Sequence, residues 1–171
     1  FHPGVLMPRV ARALTNLSGI KPGELFLDPF CGTAGILVEA GLVGARVIGI
    51  DAQEKLVLGA HMNLEAYKLD YVLMEGDACR IPLKDSTIDA VVTDPPYGRS
   101  AAILGGSFEE LYSGALLEIQ RVLKPGGIAV VVSDRASFEY GEKAGLKVLE
   151  IYVQRVHRSL TRIITIFQKD N

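Results

Sequence analysis

The sequence has 171 residues, with 18 basic and 20 acidic side chains, a net charge of −2 and a hydrophobic content of 49%. This length and composition predict a folded chain with a substantial core and exclude a disordered one. The charge gives no general attraction to nucleic acid, and no apolar stretch approaches the roughly 18 residues that a membrane helix needs.

Hydrophobic periodicity predicts alternating helices and strands. Helices are predicted at residues 8–17, 36–42, 53–68, 108–123 and 136–144. Strands are predicted at residues 24–27, 46–50, 72–75, 88–93, 128–133, 148–156 and 163–167. Ser107 and Glu110 have the spacing of a capping box at the fourth helix, and the KPGG sequence at 124–127 ends that helix.

The order of these elements predicts the fold class. The first five strands are continuous apolar runs separated by helices, which is typical of parallel strands buried on both faces. The last two strands have only about six residues between them, too few for a parallel crossover, so they are expected to form an antiparallel hairpin. We therefore predict an α/β, doubly wound, mostly parallel sheet with a C-terminal hairpin, in a single domain over residues 1–171.

A glycine-containing loop follows the first predicted strand in the sequence LDPFCGTAG. Gly32 and Gly35 allow the backbone to turn tightly beside a ligand. Asp51 follows the second strand, 23 residues after Asp28, where such folds place an acid on the ribose hydroxyls of a nucleotide cofactor. Asp28 and Pro29 stand where a dinucleotide motif needs glycine, and an acid there favours a cation over a phosphate.

The third strand is followed by Asp77 and Ala78, where a carboxylate can accept a hydrogen bond from an adenine amino group. The alternative is that Asp28 and Asp77 are ordinary turn acids. Cys31 and Cys79, the only cysteines, lack the spacing of a zinc site and indicate reduced thiols in a cytoplasmic protein, although the pattern leaves a disulfide open. No residues suggest a metal site, because His2 and His61 lack ligand-like neighbours.

The fourth strand ends in VVTDPPYGR, residues 91–99. Two prolines stop the strand and disfavour an immediate helix. Asp94, the carbonyls of Pro95 and Pro96, and the Tyr97 ring are therefore expected to form a stiff array at the strand end. Stiffness of this kind suits a binding site.

This combination resembles the class I S-adenosylmethionine-dependent methyltransferases over essentially the whole chain. The resemblance implies a seven-stranded Rossmann-like sheet whose last strand is antiparallel and inserted beside the fifth. It also implies S-adenosylmethionine as the cofactor. The cofactor-binding residues that we predict are Asp28, Pro29, Cys31, Gly32, Thr33, Gly35, Asp51, Ala52, Asp77, Ala78 and Asp94.

Residues 94–97 match the (Asp/Asn)-Pro-Pro-(Tyr/Phe) motif of enzymes that methylate exocyclic amino groups of bases. Asp94 and a proline carbonyl would accept the two N–H hydrogens of the amine, and Tyr97 would stack on a base taken out of its stack. The alternative for Tyr97 is that it caps the sheet edge. We predict Asp94, Pro95, Pro96 and Tyr97 as the catalytic residues.

Four stretches also resemble the archaeal and eukaryotic tRNA guanosine N2-methyltransferases that act at tRNA position ten: FHPGVLMPRVARALTNL, LDPFCGTAGILVEA, TDPPYGRS and RVHRSLTRIITIF. In that family an N-terminal RNA-binding THUMP module precedes the catalytic domain. Because the chain starts at Phe1 without such a module, it is expected to be a fragment of a longer chain. The implied partner is tRNA, bound through this domain and the missing module, and an accessory protein subunit is a further candidate.

Arg155, His157, Arg158 and Arg162 cluster near the C-terminus, where they are predicted to contact RNA phosphates; a solvated charged face is the alternative. The leading functional hypothesis is N2-methylation of a guanosine in tRNA. The alternatives are a DNA adenine or cytosine amino methyltransferase, a non-catalytic cofactor-binding partner domain and, more distantly, an NAD-dependent oxidoreductase.

Overall fold

The computed structural model describes residues 6–96 and 107–171. Within these residues, helices alternate with strands except at two places: the fourth strand follows the third without a helix between them, and the last two strands are consecutive. The helices are α1 (Pro8–Leu17), α2 (Gly35–Val43), α3 (Glu54–Ala66), α4 (Phe108–Val122) and α5 (Phe138–Lys143). The strands are β1 (Leu25–Asp28), β2 (Arg46–Asp51), β3 (Tyr71–Glu75), β4 (Ile88–Thr93), β5 (Leu123–Ser133), β6 (Leu146–His157) and β7 (Leu160–Lys169).

The seven strands form one sheet in the order β3-β2-β1-β4-β5-β7-β6. Strands β1 to β5 pair in parallel, whereas β7 lies antiparallel between β5 and β6. The predicted fold class and the position of the last strand beside the fifth are confirmed. The strand order reverses between β1 and β4, and the carboxyl ends of the strands at this switch point are where such sheets bind ligands.

Hydrophobic side chains cover both faces of the sheet, which is why the parallel strands are almost entirely apolar. On one face, Phe26 and Val92 pack with residues of α1, α2 and α3. On the other face, Leu27 and Val91 pack with residues of α4 and with Phe167. Within the described ranges, no helix has the length and apolar character needed to cross a bilayer.

Several element ends differ from the sequence prediction. Helix α4 has the predicted Ser107 capping box and ends at Val122, just before the KPGG sequence. The KPGG sequence itself lies inside β5, which starts at Leu123 rather than at residue 128, because Leu123 pairs with Ile88 before the register shifts. Strands β6 and β7 are longer than predicted and are separated by two residues, Arg158 and Ser159. Their outer parts carry charged and polar side chains, so backbone pairing extends beyond the apolar alternation from which they were predicted.

Gly49 on β2 allows the loop that follows β1 to pack closely against the sheet. A Cβ placed at Gly49 would lie 2.6 Å from Leu37 Cδ1, 2.7 Å from Leu73 Cδ2 and 2.9 Å from Cys31 Sγ. These neighbours belong to α2, β3 and the loop. The absence of a side chain at this position therefore sets the distance between the sheet and the glycine loop.

We expect Gly49→Ala to lower the free energy of unfolding by about 1–3 kcal/mol, because the methyl group overpacks a filled core. Chemical denaturation measures the change. Gly59→Ala is the matched control: its methyl meets only the Thr33 side chain, 3.2 Å away, and alanine favours the helix in which Gly59 lies. Equal stability of the Gly49→Ala and Gly59→Ala proteins would contradict this account of β2.

Candidate active site

The loop between β1 and α2 has backbone conformations that bring its main chain to the switch point. Gly32 and Ala34 have positive φ angles of 52° and 70°, and the second of these is costly for a residue with a side chain. A Cβ placed at Gly32 or Gly35 would meet no atom within 4 Å. The loop therefore presents open space beside its glycines, as a ligand-binding loop requires.

Strand β2 and helix α3 hold this loop in place. The Cys31 amide donates to the Ile50 carbonyl at 2.8 Å, and the Gly32 amide donates to Asp51 Oδ2 at 2.9 Å. The Asn63 side-chain amide donates to the Thr33 carbonyl at 2.8 Å. Since these contacts need no ligand, the loop is preorganised by the protein alone.

Three of the four predicted cofactor acids form a local turn at the end of a strand or just after it. The carboxylate Oδ1 atoms of Asp28, Asp51 and Asp77 accept from the amides two residues further on, at 3.1, 3.0 and 2.8 Å. All three therefore form turns, as the alternative interpretation expects for Asp28 and Asp77, and their contacts with a cofactor stay predictions. A carboxylate has about four acceptor positions, so these bonds fix its orientation while leaving positions for a ligand.

A hydrogen bond joins the ends of β1 and β4. Thr93 Oγ1 donates to Asp28 Oδ1 at 2.7 Å, and both side chains are buried. Burial raises the pKa of Asp28 to about 7, the bonds from Thr93 and Phe30 act in the opposite direction, and the charge of Asp94 adds to the increase. The role of Thr93 was not predicted, although a hydroxyl closing the apolar run VVT is a signal that the sequence does contain.

Asp94 follows β4 directly and lines a pocket of about 150 Å³. Asp28, Gly32 and Gly35 line the same pocket, together with Leu6 from the segment before α1. Burial raises the pKa of Asp94 to about 7, whereas the positive charge of Arg162 lowers it. Among the described residues, Asp94 Oδ1 is a buried oxygen with no hydrogen-bond partner.

The predicted catalytic array is only partly described. Pro95 is buried and Pro96 is half-buried beside Asp94, whereas Tyr97 lies outside the described residues. The structure thus brings Asp94 to the glycine loop, as the motif predicts. The stacking role of Tyr97 stays a prediction.

The strand ends fit the parts of S-adenosylmethionine. Asp28 and Asp94 at the pocket suit the positive charges of its ammonium and sulfonium groups. Asp51, 9% exposed at the end of β2, suits the ribose hydroxyls. Asp77 is exposed and Ala78 is buried beyond β3, an arrangement that suits an adenine edge. Pro29 is buried within the loop, while Thr33 and Ala52 are exposed; their contacts with cofactor stay predictions.

Neither cysteine is activated as a nucleophile. Cys31 and Cys79 are free thiols. Burial, followed by the charge of Asp28, raises the pKa of Cys31 far above its ordinary range. Burial, followed by the charge of Asp77, raises the pKa of Cys79 to about 11. Both groups therefore stay protonated at neutral pH.

The predicted RNA-binding cluster on the C-terminal hairpin is divided by the structure. Arg155, His157 and Arg158 are exposed around the β6–β7 turn. Arg162 is only 4% exposed, so its assignment to the same surface is wrong. The sequence contains the signal, because Arg162 has the same strand parity as the inward-facing Ile164 and Ile166.

The raised pKa of Asp28 predicts a pH-dependent contribution to stability. Its ordinary value is about 3.9, so between about pH 4 and pH 7 the folded protein keeps a proton that the unfolded chain loses. The contribution is present in full below about pH 4 and is lost as the pH rises through about 7.

Asp28→Asn keeps an acceptor for Thr93 and Phe30 but cannot titrate. Between pH 5 and pH 8 the wild type should lose about 2–3 kcal/mol of its free energy of unfolding through Asp28, and the Asp28→Asn protein should not show this loss. Urea denaturation at both pH values measures this difference. Parallel pH dependence in the two proteins would show that Asp28 is ionised throughout.

The chain matches the family model described as RMKL-like, methyltransferase domain, over residues 1–164. It is 42% identical over 171 residues to the tRNA (guanine(10)-N2)-dimethyltransferase of Methanothermobacter thermautotrophicus, covering 99% of this chain and 51% of that protein. It is 36% identical to the probable tRNA (guanine(10)-N2)-dimethyltransferase of Methanothermococcus thermolithotrophicus, covering 94% of this chain and 98% of that protein. The chain thus spans about half the length of the first relative.

Among solved structures, TrmN from Thermus thermophilus superimposes with a TM-score of 0.81 at 24% identity, covering 98% of this chain and 50% of that chain. This likeness shows the fold. The fold and the family imply S-adenosylmethionine as the methyl donor, in agreement with the acids and the open glycine loop at the switch point. The chain belongs to the RMKL-like methyltransferase domain family.

Proposed function

We propose that this chain transfers a methyl group from S-adenosylmethionine to the exocyclic N2 amino group of a guanosine in tRNA. The observation that carries the proposal is the place of Asp94. It follows β4 directly, it lines the same pocket as the glycine loop, and its Oδ1 has no hydrogen-bond partner among the described residues. A buried acceptor of this kind is costly unless a donor binds there.

An exocyclic amine is a weak nucleophile because its lone pair is delocalised into the base. Asp94 and a proline carbonyl accept its two N–H hydrogens, which turns the lone pair out of the ring plane. When bound, S-adenosylmethionine supplies an electrophilic methyl group on a sulfonium. Asp94 then stabilises the positive charge that develops on the nitrogen and takes up the proton that the nitrogen loses.

An upper limit can be calculated for the effect of the Asp94 charge on the rate of methyl transfer. A carboxylate about 4 Å from a unit positive charge stabilises it by about 4 kcal/mol at an effective dielectric of 20. This corresponds to roughly a thousandfold in rate. Electrostatic stabilisation of this size requires the carboxylate to be held in place before the reaction, and the strand end and Pro95 do so here.

The choice of RNA is supported by the two archaeal relatives, whose names give tRNA guanine 10 as the target. Exposed Arg155, His157 and Arg158 on the hairpin offer cations for phosphate contacts. We infer that a further RNA-binding module contributes to tRNA capture, since half of the Methanothermobacter protein lies outside the matched region. Because the proposed substrate is tRNA, we also propose a cytoplasmic location. The accessory protein subunit stays a prediction.

Nucleoside mass spectrometry tests the substrate. The chain is incubated with S-adenosylmethionine and either unmodified tRNA or duplex DNA, and the digested nucleosides are identified. We expect N2-methylguanosine or N2,N2-dimethylguanosine from tRNA. N6-methyladenine or N4-methylcytosine from DNA would instead support a DNA amino methyltransferase. The incubation is repeated with the chain fused to the part of the Methanothermobacter protein that lies outside the match, and no transfer by either form, with intact cofactor binding, would support a non-catalytic partner domain.

We expect Asp94→Ala to lower turnover by up to about a thousandfold, because the charge that stabilises the alkylated nitrogen is lost. The affinity for S-adenosylmethionine, measured by calorimetry, should remain largely intact. Asp134→Ala is the matched control, since Asp134 follows β5 at the same sheet edge but pairs with Arg135. Equal turnover of the Asp94→Ala protein and the parent would refute the assignment.

Asp51→Ala should instead weaken cofactor binding by about 10–100-fold, the effect of losing charged hydrogen bonds worth about 1.5–3 kcal/mol. The substitution also releases the Gly32 amide, so affinity alone does not isolate the ribose contact. The ribose contact is isolated by comparing the affinity for 5′-methylthioadenosine with the affinity for its 2′-deoxy analogue. The parent should prefer the ribonucleoside and the variant should not; an equal preference in both would exclude Asp51 as the ribose acid.

A further inference from the structure

Arg162 is a charged side chain inside the protein. It is 4% exposed on β7, and the next two residues on the same face, Ile164 and Ile166, belong to the core packed beneath α1 and α2. A guanidinium stays protonated in proteins, and a buried charge is costly unless an opposite charge lies near it. We therefore expect a carboxylate that is also removed from solvent to lie near the Arg162 guanidinium.

The strand register brings Arg162 and Asp94 to the same edge of the sheet. Ser133, the last residue of β5, pairs with Ile163, so Arg162 lies just beyond the carboxyl end of β5. Asp94 lies just beyond the carboxyl end of β4. Val92 shares a core cluster with Ile164, and strand alternation therefore places Asp94 and Arg162 on the same face.

A long side chain is needed to connect these positions. Strand β5 lies between β4 and β7, which separates their axes by about 10 Å. The positive charge of Arg162 lowers the pKa of Asp94 against the effect of burial. Of the described charged groups that face Asp94, Arg162 on β7 is the cation and Asp28 on β1 is the neighbouring carboxylate, with Asp51 on β2 beyond Asp28.

We propose that Arg162 is a positioning residue for Asp94, which it keeps charged and oriented at the wall of the pocket. It acts through the carboxylate and touches no substrate. This role takes the place of the RNA contact predicted from the sequence. The inference rests on the proposed methyl transfer, in which Asp94 accepts hydrogen bonds and a proton from the base amine.

The dependence of kcat on pH tests this role in the full chain, with unmodified tRNA as substrate. Arg162→Gln removes the charge, so the acidic limb of the profile should move up by about one pH unit. At pH 7 kcat should fall about fivefold and should recover by pH 9. Arg162→Lys keeps the charge and should keep the wild-type limb, whereas KM for tRNA should stay constant in both variants.

Arg46→Gln is the matched control, because Arg46 is exposed at the opposite end of the sheet and pairs with Asp70. It should leave the profile unchanged. A raised KM for tRNA with an unshifted profile would make Arg162 an RNA contact and overturn the proposal. A loss of kcat that is equal at every pH, in the lysine variant as well, would assign Arg162 a structural role and overturn it too.

Thermal denaturation covers the case in which Arg162→Gln does not fold. The double variant Asp94→Asn/Arg162→Gln removes both charges. Restored folding in the double variant would support the pairing of Asp94 with Arg162. It would mean that Arg162→Gln alone fails to fold because the buried Asp94 charge has lost its cation. If neither variant folds, Arg162 is held by other contacts and the proposal fails.

The two proposals are separated by a measurement that needs no turnover. If the parent protein transfers no methyl group, the proposed function fails, and urea denaturation at pH 5 and pH 9 then tests Arg162 alone. Because the Arg162 charge favours the ionised form of the buried Asp94 carboxyl, Arg162→Gln should increase the unfolding equilibrium constant between pH 5 and pH 9 about tenfold more than the parent does. This extra increase should be absent in the Asp94→Asn background. The same increase in Arg162→Gln and the parent would overturn the positioning role.

Discussion

The hydrogen bond between Thr93 and Asp28 is the contact on which the rest of the site depends. It spans 2.7 Å between the carboxyl ends of β4 and β1, where the strand order of the sheet reverses. One strand carries the glycine loop and the other carries Asp94 and the prolines. A displacement of either end would separate the surface that suits the cofactor from the acceptor that suits the base, so the bond couples the two halves of the reaction geometrically.

The cost of this arrangement is electrostatic. Asp28 and Asp94 are brought close together at the pocket, and burial raises the pKa of each to about 7. A cationic ligand relieves this unfavourable environment, whereas an anionic one would worsen it. The same feature that destabilises the protein at neutral pH therefore favours a sulfonium cofactor, and the positive charge of Arg162 reduces this destabilisation.

Much of the fold was predictable because parallel strands are recorded in the sequence as apolar runs. Helix α1 and strand β4 were predicted at the observed bounds, and the short connection between the last two strands indicated their antiparallel pairing. The lengths of β6 and β7 were not predictable from alternation, because backbone hydrogen bonding continues through charged residues near their turn. Leu123 joins β5 through a pairing with Ile88 that no local pattern encodes.

The site was predictable to a similar degree. Acids and glycines at strand ends indicated the cofactor side, and the two prolines indicated the acceptor side. The hydrogen bond that links the two sides was not predictable, because Asp28, the partner of Thr93, lies 65 residues away in the sequence. The sequence prediction assigns Arg162 wrongly to the exposed basic cluster because it follows the neighbours of Arg162 in sequence. Alternation along the strand instead places Arg162 with the inward-facing Ile164 and Ile166.

The account is tested most directly by a crystal structure of the chain with bound S-adenosylmethionine. Room for one amino nitrogen between donor and acceptor predicts that the transferable methyl faces Asp94 with its carbon about 5–6 Å from the carboxylate. A methyl group that points away from residues 94–96, or that lies too far from them for a base to bridge the gap, would contradict it.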